Sequence, residues 1–145
     1  NAHEERKQAL ALAKFTTTLA QVSVPRINLI AGEAYGTAAE VMNSKAIGAD
    51  FVLAWPQASV GMMDAEQAVR IMYAEEIDAD DDKMALIAEK TAEYAEGQSS
   101  ALAAAKRGYV DDIIEPDATR KRLIAAYEML YGKKVTPVTK KHTAV

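Results

Sequence analysis

Two glycines, a threonine and two alanines stand where an apolar run gives way to a helix-like segment: AGEAYGTAAEVMNSK, Ala31 to Lys45. The side chains of Gly36, Thr37, Ala38 and Ala39 offer little chemistry, but their main chain offers more. The first N–H groups of a helix have no intrahelical partner. They also point where negative charge is favoured. Small residues let an oxygen sit against them, so main chain alone can form an oxyanion hole that stabilises an enolate or a tetrahedral oxyanion. The same composition suits a tight turn with close strand–helix packing. Taken by themselves, the residues leave both readings open.

Other reactive residues are sparse. His3 and His142 lie near the two ends of the sequence, whereas a zinc site or a base-assisted nucleophile needs histidine inside the fold. There is no GxSxG elbow, no GxxxxGK[ST] loop and no GxGxxG turn. The acidic run Asp78 to Asp82 lacks the glycine and terminal glutamate of an EF-hand loop and reads as a solvated helix start. No metal site is expected. Glu33, Glu40 and Glu66 are candidate acids or bases, with a surface carboxylate as the default for each. Met62, Met63 and Met72 read as core filler. Trp55 reads as core, or as the floor of a pocket at a strand end.

The elements that would position these residues follow from periodicity. Residues 4–22 predict a helix with Ala9, Leu12, Ala13, Thr16, Leu19 and Ala20 on one face, stopped by Pro25. RINLIAG predicts a strand, followed by a helix from about 37 to 47 that ends at Gly48. DFVLAWP and ASVGM predict two more strands. Asp64 begins a helix with Gln67 in a capping-box position and a stripe of Ala65, Ala68, Val69 and Met72. A longer helix follows the acidic run, with Met84, Ile87, Ala88, Thr91 and Ala95 inward and Gly97 at its end. A short helix over 99–107 stops at Gly108, and YVDDII predicts a last strand. Pro116-Asp117 starts the closing helix, with Leu123, Ile124, Tyr127 and Leu130 inward. A polar, loose tail is expected from 133. Strands alternate with helices, which predicts an α/β fold. No internal repeat is evident, and 1–145 reads as one domain.

Composition narrows the class. The 145 residues are 50% hydrophobic and 26% charged, as in soluble globular chains. The formal net charge of -4, with no basic stripe, argues against nucleic acid. Lys133-Lys134 and Lys140-Lys141 are too short to change that. No apolar run approaches a membrane span, and no signal peptide is present. Cysteine is absent, which excludes disulfides and thiolate chemistry and is compatible with a reducing cytoplasm. The sequence begins at Asn1 rather than Met, and a piece of a longer protein is expected.

Several segments in order carry a resemblance. AYG, MNSK, GAD and AWP within residues 24–72, then RGYVDD and KKH within 103–142, resemble the C-terminal half of the biotin-dependent acyl-CoA carboxyltransferases. That group includes propionyl-CoA and acetyl-CoA carboxylase subunits, methylmalonyl-CoA and glutaconyl-CoA decarboxylases, and a transcarboxylase subunit. The resemblance implies a crotonase-like, ClpP-related fold of repeated ββα units. It implies a missing N-terminal carboxyltransferase half that holds the acyl-CoA, a second subunit of a homo-oligomer across a dimer interface, and a partner biotin carboxyl carrier domain. It implies carboxyl transfer between carboxybiotin and the α-carbon of an acyl-CoA.

Matched residue by residue, the biotin-side oxyanion hole falls on Tyr35, Gly36, Thr37, Ala38 and Ala39, with the N–H groups of Thr37 and Ala38 as donors. Glu40 falls on a position lining the acyl pocket. The sequence departs from the family pattern at Thr37, at Glu33-Ala34, and at Asp64 and Gln67, which stand where the family has glycine or, before AYG, a basic residue. A threonine at 37 keeps the hole only if its φ is negative. Three alternatives stay open. One is a biotin-dependent acyl-CoA decarboxylase subunit. Another is a non-catalytic crotonase-fold domain with a drifted site. The third is a different crotonase-type enzyme that uses two of Glu33, Glu40 and Glu66.

Overall fold

The computed structural model describes residues 2–134, with side chains from residue 4 onward. His3's side chain, His142 and the KKH tail lie outside the described residues. Helix α1 (Ala2–Gln21) leads to strand β1 (Ile27–Ile30), strand β2 (Glu33–Tyr35) and helix α2 (Gly36–Val41). Strands β3 (Phe51–Ala54) and β4 (Ser59–Gly61) precede helices α3 (Ala65–Met72), α4 (Ala74–Ala79) and α5 (Lys83–Tyr94). Helix α6 (Ala101–Lys106), strand β5 (Asp112–Ile113) and helix α7 (Thr119–Leu130) complete the order.

Pairing reveals a repeat that the sequence hides. β1, β3 and β5 form one parallel sheet in the order β1-β3-β5, and β2 and β4 form a second, also parallel. Ile27 to Ile30 stand opposite Phe51 to Ala54, and Glu33 to Tyr35 stand opposite Ser59 to Gly61. Each turn of the chain lays one strand in the large sheet and the next in the small one, then a helix. Two ββα units, β1-β2-α2 and β3-β4-α3, are thereby stacked in parallel.

Alanine dominates the core between sheet and helices. Ala49, Ala54, Ala58, Ala101 and Ala104 are buried with Val52 and Val110. Small side chains let α6 approach the sheet closely, and burial of apolar surface supplies the driving force. A second cluster, Val69, Ile77 and Ile87, joins α3, α4 and α5.

Several expectations need correction. The helix over 37–47 is broken: α2 stops at Val41, Asn43 adopts φ 61°, and a separate 3₁₀ turn spans Lys45–Ile47 before Gly48. Met62 and Met72 are exposed at 72% and 62%, and Met63 is also exposed, so they do not fill the core. Met84 and Ala88 on α5 are exposed, and Ile87 alone of the expected stripe is fully buried. Gly97 does not end α5, because the helical path continues through a π-helical turn, Ala95–Ser99. On α7 the buried residue is Ala126, whereas Ile124 and Tyr127 are exposed. The helix at the N-terminus forms, but Ala9, Leu12, Ala13 and Ala20 on its predicted inner face are exposed. On α1, α5 and α7 the periodicity is real, but the described residues do not bury those faces.

Lys133 is not part of a loose tail. Its Nζ donates to Asp50 at 2.8 Å, and the Arg26 backbone N–H donates to the same carboxylate at 2.7 Å. Burial pushes the Asp50 carboxyl up, but these hydrogen bonds and the positive charges of Lys133 and Arg26 outweigh it. The net result holds Asp50 below the usual aspartate range. Among the described residues no helix is long and apolar enough to cross a membrane.

Candidate active site

The turn between β2 and α2 is tight and closely packed. Tyr35 is extended, with φ -119° and ψ 147°, and immediately precedes α2. Gly36 then takes φ +61°. A Cβ at Gly36 would lie 3.2 Å from the carbonyl oxygen of Met62. Both facts require glycine here: a side chain would meet left-handed strain and a crowded backbone oxygen together. The backbone at Thr37 has ordinary negative φ, since Asn43 is the only non-glycine residue with positive φ among those described. The β-branched side chain at 37 is therefore tolerated without strain.

Thr37 and Ala38 lie in the first turn of α2, where N–H groups have no intrahelical carbonyl to reach. Both residues are exposed, Ala39 is half-buried and Glu40 is exposed. The loop after β4 forms the adjacent wall through the Met62 carbonyl. Sequence reasoning missed that wall, because the contact depends on the parallel pairing of β2 with β4.

The carboxylates are distributed over several elements. Glu33 opens β2, Glu40 lies on α2, and Glu66 on α3 is held by Arg70 through Oε1 at 2.7 and 2.9 Å. Asp64, where the family pattern has glycine, caps α3 by accepting the Glu66 N–H at 2.9 Å. Asp82 caps α5 in the same way through the Ala85 N–H, the helix-start role that the acidic run suggested. Among the described residues no cluster of three or more metal-ligating side chains occurs.

The other motifs form the scaffold. Lys45 of MNSK contacts Asp111 of RGYVDD at 2.6 Å. The other Asp111 carboxylate oxygen accepts the Val52 N–H at 2.8 Å, which fastens the approach to β5 onto β3. Trp55 of AWP donates through Nε1 to the Thr119 hydroxyl at 2.9 Å. Its ring lines an open groove of about 530 Å³ with Pro116, Leu123, Ile124 and Tyr127, so it floors a pocket at a strand end and is only half-buried.

These motifs and this turn match a known family: the carboxyl transferase domain model matches residues 5–145. The chain belongs to the carboxyl transferase domain family. It is 43% identical over 130 residues to the propionyl-CoA carboxylase carboxyltransferase subunit of Haloferax mediterranei, covering 90% of this chain and 25% of that protein. It is 40% identical over 130 residues to the methylmalonyl-CoA decarboxylase alpha subunit of Propionigenium modestum, with the same coverage. Its fold superimposes on transcarboxylase 12S with a TM-score of 0.89 at 37% identity, covering 96% of this chain and 27% of that one. That protein is a hexamer crystallised with methylmalonyl-CoA and methylmalonic acid bound. This carboxyl transferase chain thus has the crotonase-like carboxyltransferase fold and spans about a quarter of the length of these relatives.

Proposed function

We propose that the full-length protein transfers a carboxyl group between carboxybiotin and the α-carbon of an acyl-CoA, and that this chain supplies the biotin-side half of the site. The observation that carries the reading is the Gly36 turn. It opens a helix whose first N–H groups have no intrahelical partner, and a Cβ at Gly36 would crowd the Met62 carbonyl beside it. Such a cradle suits an oxygen of developing negative charge. When bound there, biotin supplies the carboxyl group and a ureido oxygen that becomes negative as that group leaves.

In this reading the Thr37 and Ala38 N–H groups donate to that oxygen. Tyr35, Gly36 and Ala39 keep the approach narrow, and Glu40 borders the acyl pocket. The main chain needs no reorganisation at the moment of reaction, which is where the rate advantage arises. An N-terminal half of the same kind of fold holds the acyl-CoA, and a carrier domain of a partner delivers the biotin. A homo-oligomer brings the two halves together. The uncovered faces of α1 and α7 are suited to those contacts, and a cytoplasmic setting fits a chain without cysteine.

The test is biotin-dependent CO2 release from malonyl-, methylmalonyl- and glutaconyl-CoA by the full-length protein with free biotin. Release with one thioester supports carboxyl transfer and identifies the acyl class. A folded, assembled protein that releases none refutes it. Ala38→Pro removes one donor near a helix start, where proline is best tolerated, and should lower turnover by about 10²–10³. A near-normal rate would remove the Ala38 N–H from the mechanism.

A further inference from the structure

Two faces that this chain leaves bare carry opposite charge. Helices α3, α4 and α5 meet at one corner, because α3 runs into α4 at Tyr73 and α4 leads through residues 80–82 into α5. Ile71 follows the buried Ala68 by three residues, and Met84 precedes the buried Ile87 by three, so each lies about one turn further along a buried face. At the corner they are 67% and 70% exposed. The segment 75–82 that joins these helices holds Glu75, Glu76, Asp78, Asp80, Asp81 and Asp82, all exposed. Asp78 pairs with Lys83, and Asp80 and Asp82 accept main-chain N–H groups. Glu75 and Asp81 have no ion-pair partner among the described residues.

The other face is the groove beside α7. Trp55 lines it, tied through Nε1 to the Thr119 hydroxyl, together with Leu123, Ile124 and Tyr127. Arg120 and Asp117 are its charged lining residues. Arg120, Lys121 and Arg122 stand in the first turn of α7, where the helix dipole disfavours positive charge. Arg122 reaches Asp112 at 3.8 Å, whereas Arg120 and Lys121 make no ion pair among the described residues. A sequence that breaks a local rule without a local compensation does so mostly at functional surfaces. The composition points the same way, since Trp, Tyr, Met and Arg are the residues enriched where protein surfaces meet.

We propose that the Trp55–Tyr127 groove of one copy receives the Ile71–Met84 corner of a second copy of this chain, with Arg120 and Lys121 set against the acidic segment 75–82. Charge decides which face meets which. Corner against corner would set acid on acid, and α7 against α7 would set base on base, so only the unlike pairing is favourable. The two faces lie on different elements, which makes the contact heterologous. Met84 is unbranched and flexible, and suits an open groove of irregular shape. The inference rests on the homo-oligomer of the proposed function and uses none of its chemistry.

The experiment co-expresses two full-length chains, one with Met84→Cys and the other with Ile124→Cys, and treats the assembly with a short bis-maleimide. Neither chain holds both thiols, so a crosslink between positions 84 and 124, identified by peptide mass, joins two copies. It should form, whereas Lys14→Cys on α1 in place of Ile124→Cys should give none. Arg120→Glu with Lys121→Glu on the groove chain should lower the yield by about 10-fold or more, and so should Glu75→Lys with Asp81→Lys on the corner chain. The two reversals together should restore most of it. No crosslink between 84 and 124, a yield indifferent to the single reversals, or no recovery on combining them would overturn the proposal. A face covered by another part of its own chain, or by a different subunit, gives the first of these results. If a reversed chain fails to fold, Arg120→Ala with Lys121→Ala decides, together with the loss of yield expected as salt screens the contact. A crosslinking protein that releases no CO2 would retain this contact and lose carboxyl transfer, and an active protein without the crosslink would lose the contact alone.

Discussion

Replacing Gly36 with alanine confronts two structural demands at one residue. Its φ of +61° costs an L-residue roughly 1–2 kcal/mol. The new methyl also stands 3.2 Å from the Met62 carbonyl, so that oxygen must yield by a few tenths of an ångström. If the scaffold holds the turn, the whole cost appears as lost stability of about 1–3 kcal/mol. If alanine prevails, φ turns negative, and the start of α2, with the Thr37 and Ala38 N–H groups, is reoriented. Each misaligned donor then lowers turnover by about 10²–10³. Gly32→Ala is the control, since its Cβ would meet nothing within 4 Å and its φ is not positive. Both variants are assayed in the full-length protein by urea denaturation and by biotin-dependent CO2 release. Gly36→Ala should lose stability, rate or both, while Gly32→Ala stays within about 0.5 kcal/mol of native. Indistinguishable behaviour of the two variants in both assays would refute the reasoning about this turn.

Lys133→Met should cost about 1–3 kcal/mol in denaturation, because it leaves the mostly buried Asp50 carboxylate without its ion-pair partner, with the Arg26 N–H and the Arg26 charge remaining. The sign of the pH dependence follows from a folded-state pKa held below the ordinary value. The contribution of Asp50 is fully present above about pH 4 and is lost as pH falls through the depressed value. The stability gap between native and Lys133→Met proteins should therefore close on acidification; a gap that persists below pH ~2 would contradict the assignment. Val69→Ala should cost about 1.5–3 kcal/mol, since Val69 is fully buried, whereas Met72→Ala on the exposed side of the same helix should change denaturation by less than about 0.5 kcal/mol.

The motifs that make this chain recognisable serve mostly as scaffold. Lys45 meets Asp111, Asp50 meets Lys133, and Trp55 meets Thr119, each pair joining segments far apart in sequence. The candidate chemistry lies instead in main chain, where residue type constrains geometry but does not name it. A glycine before three small residues is compatible with a left-handed turn and equally with simple close packing. The φ of Gly36, the negative φ of Thr37 and the approach of Met62 required coordinates.

The sequence alone determined most local elements: most helix starts, the strands 27–30 and 51–54, the cap at Asp64 and the small residues at 36–39, but not β2 or α4. These depend on caps, breakers and short-range periodicity, which act within a few residues. The ββα repeat, the direction of each apolar helix face and the wall at Met62 were decided only by tertiary structure. The repeat is a matter of which strands pair, and parallel pairing joins residues about 25 apart, such as Tyr35 and Gly61. An amphipathic stripe predicts that a face is apolar, but what covers it is set elsewhere. Met72, Met84 and Tyr127 are exposed because the packing between elements leaves those faces uncovered. Ser99 reaches β4 through one extra residue in a helical turn, a displacement that composition and spacing did not record.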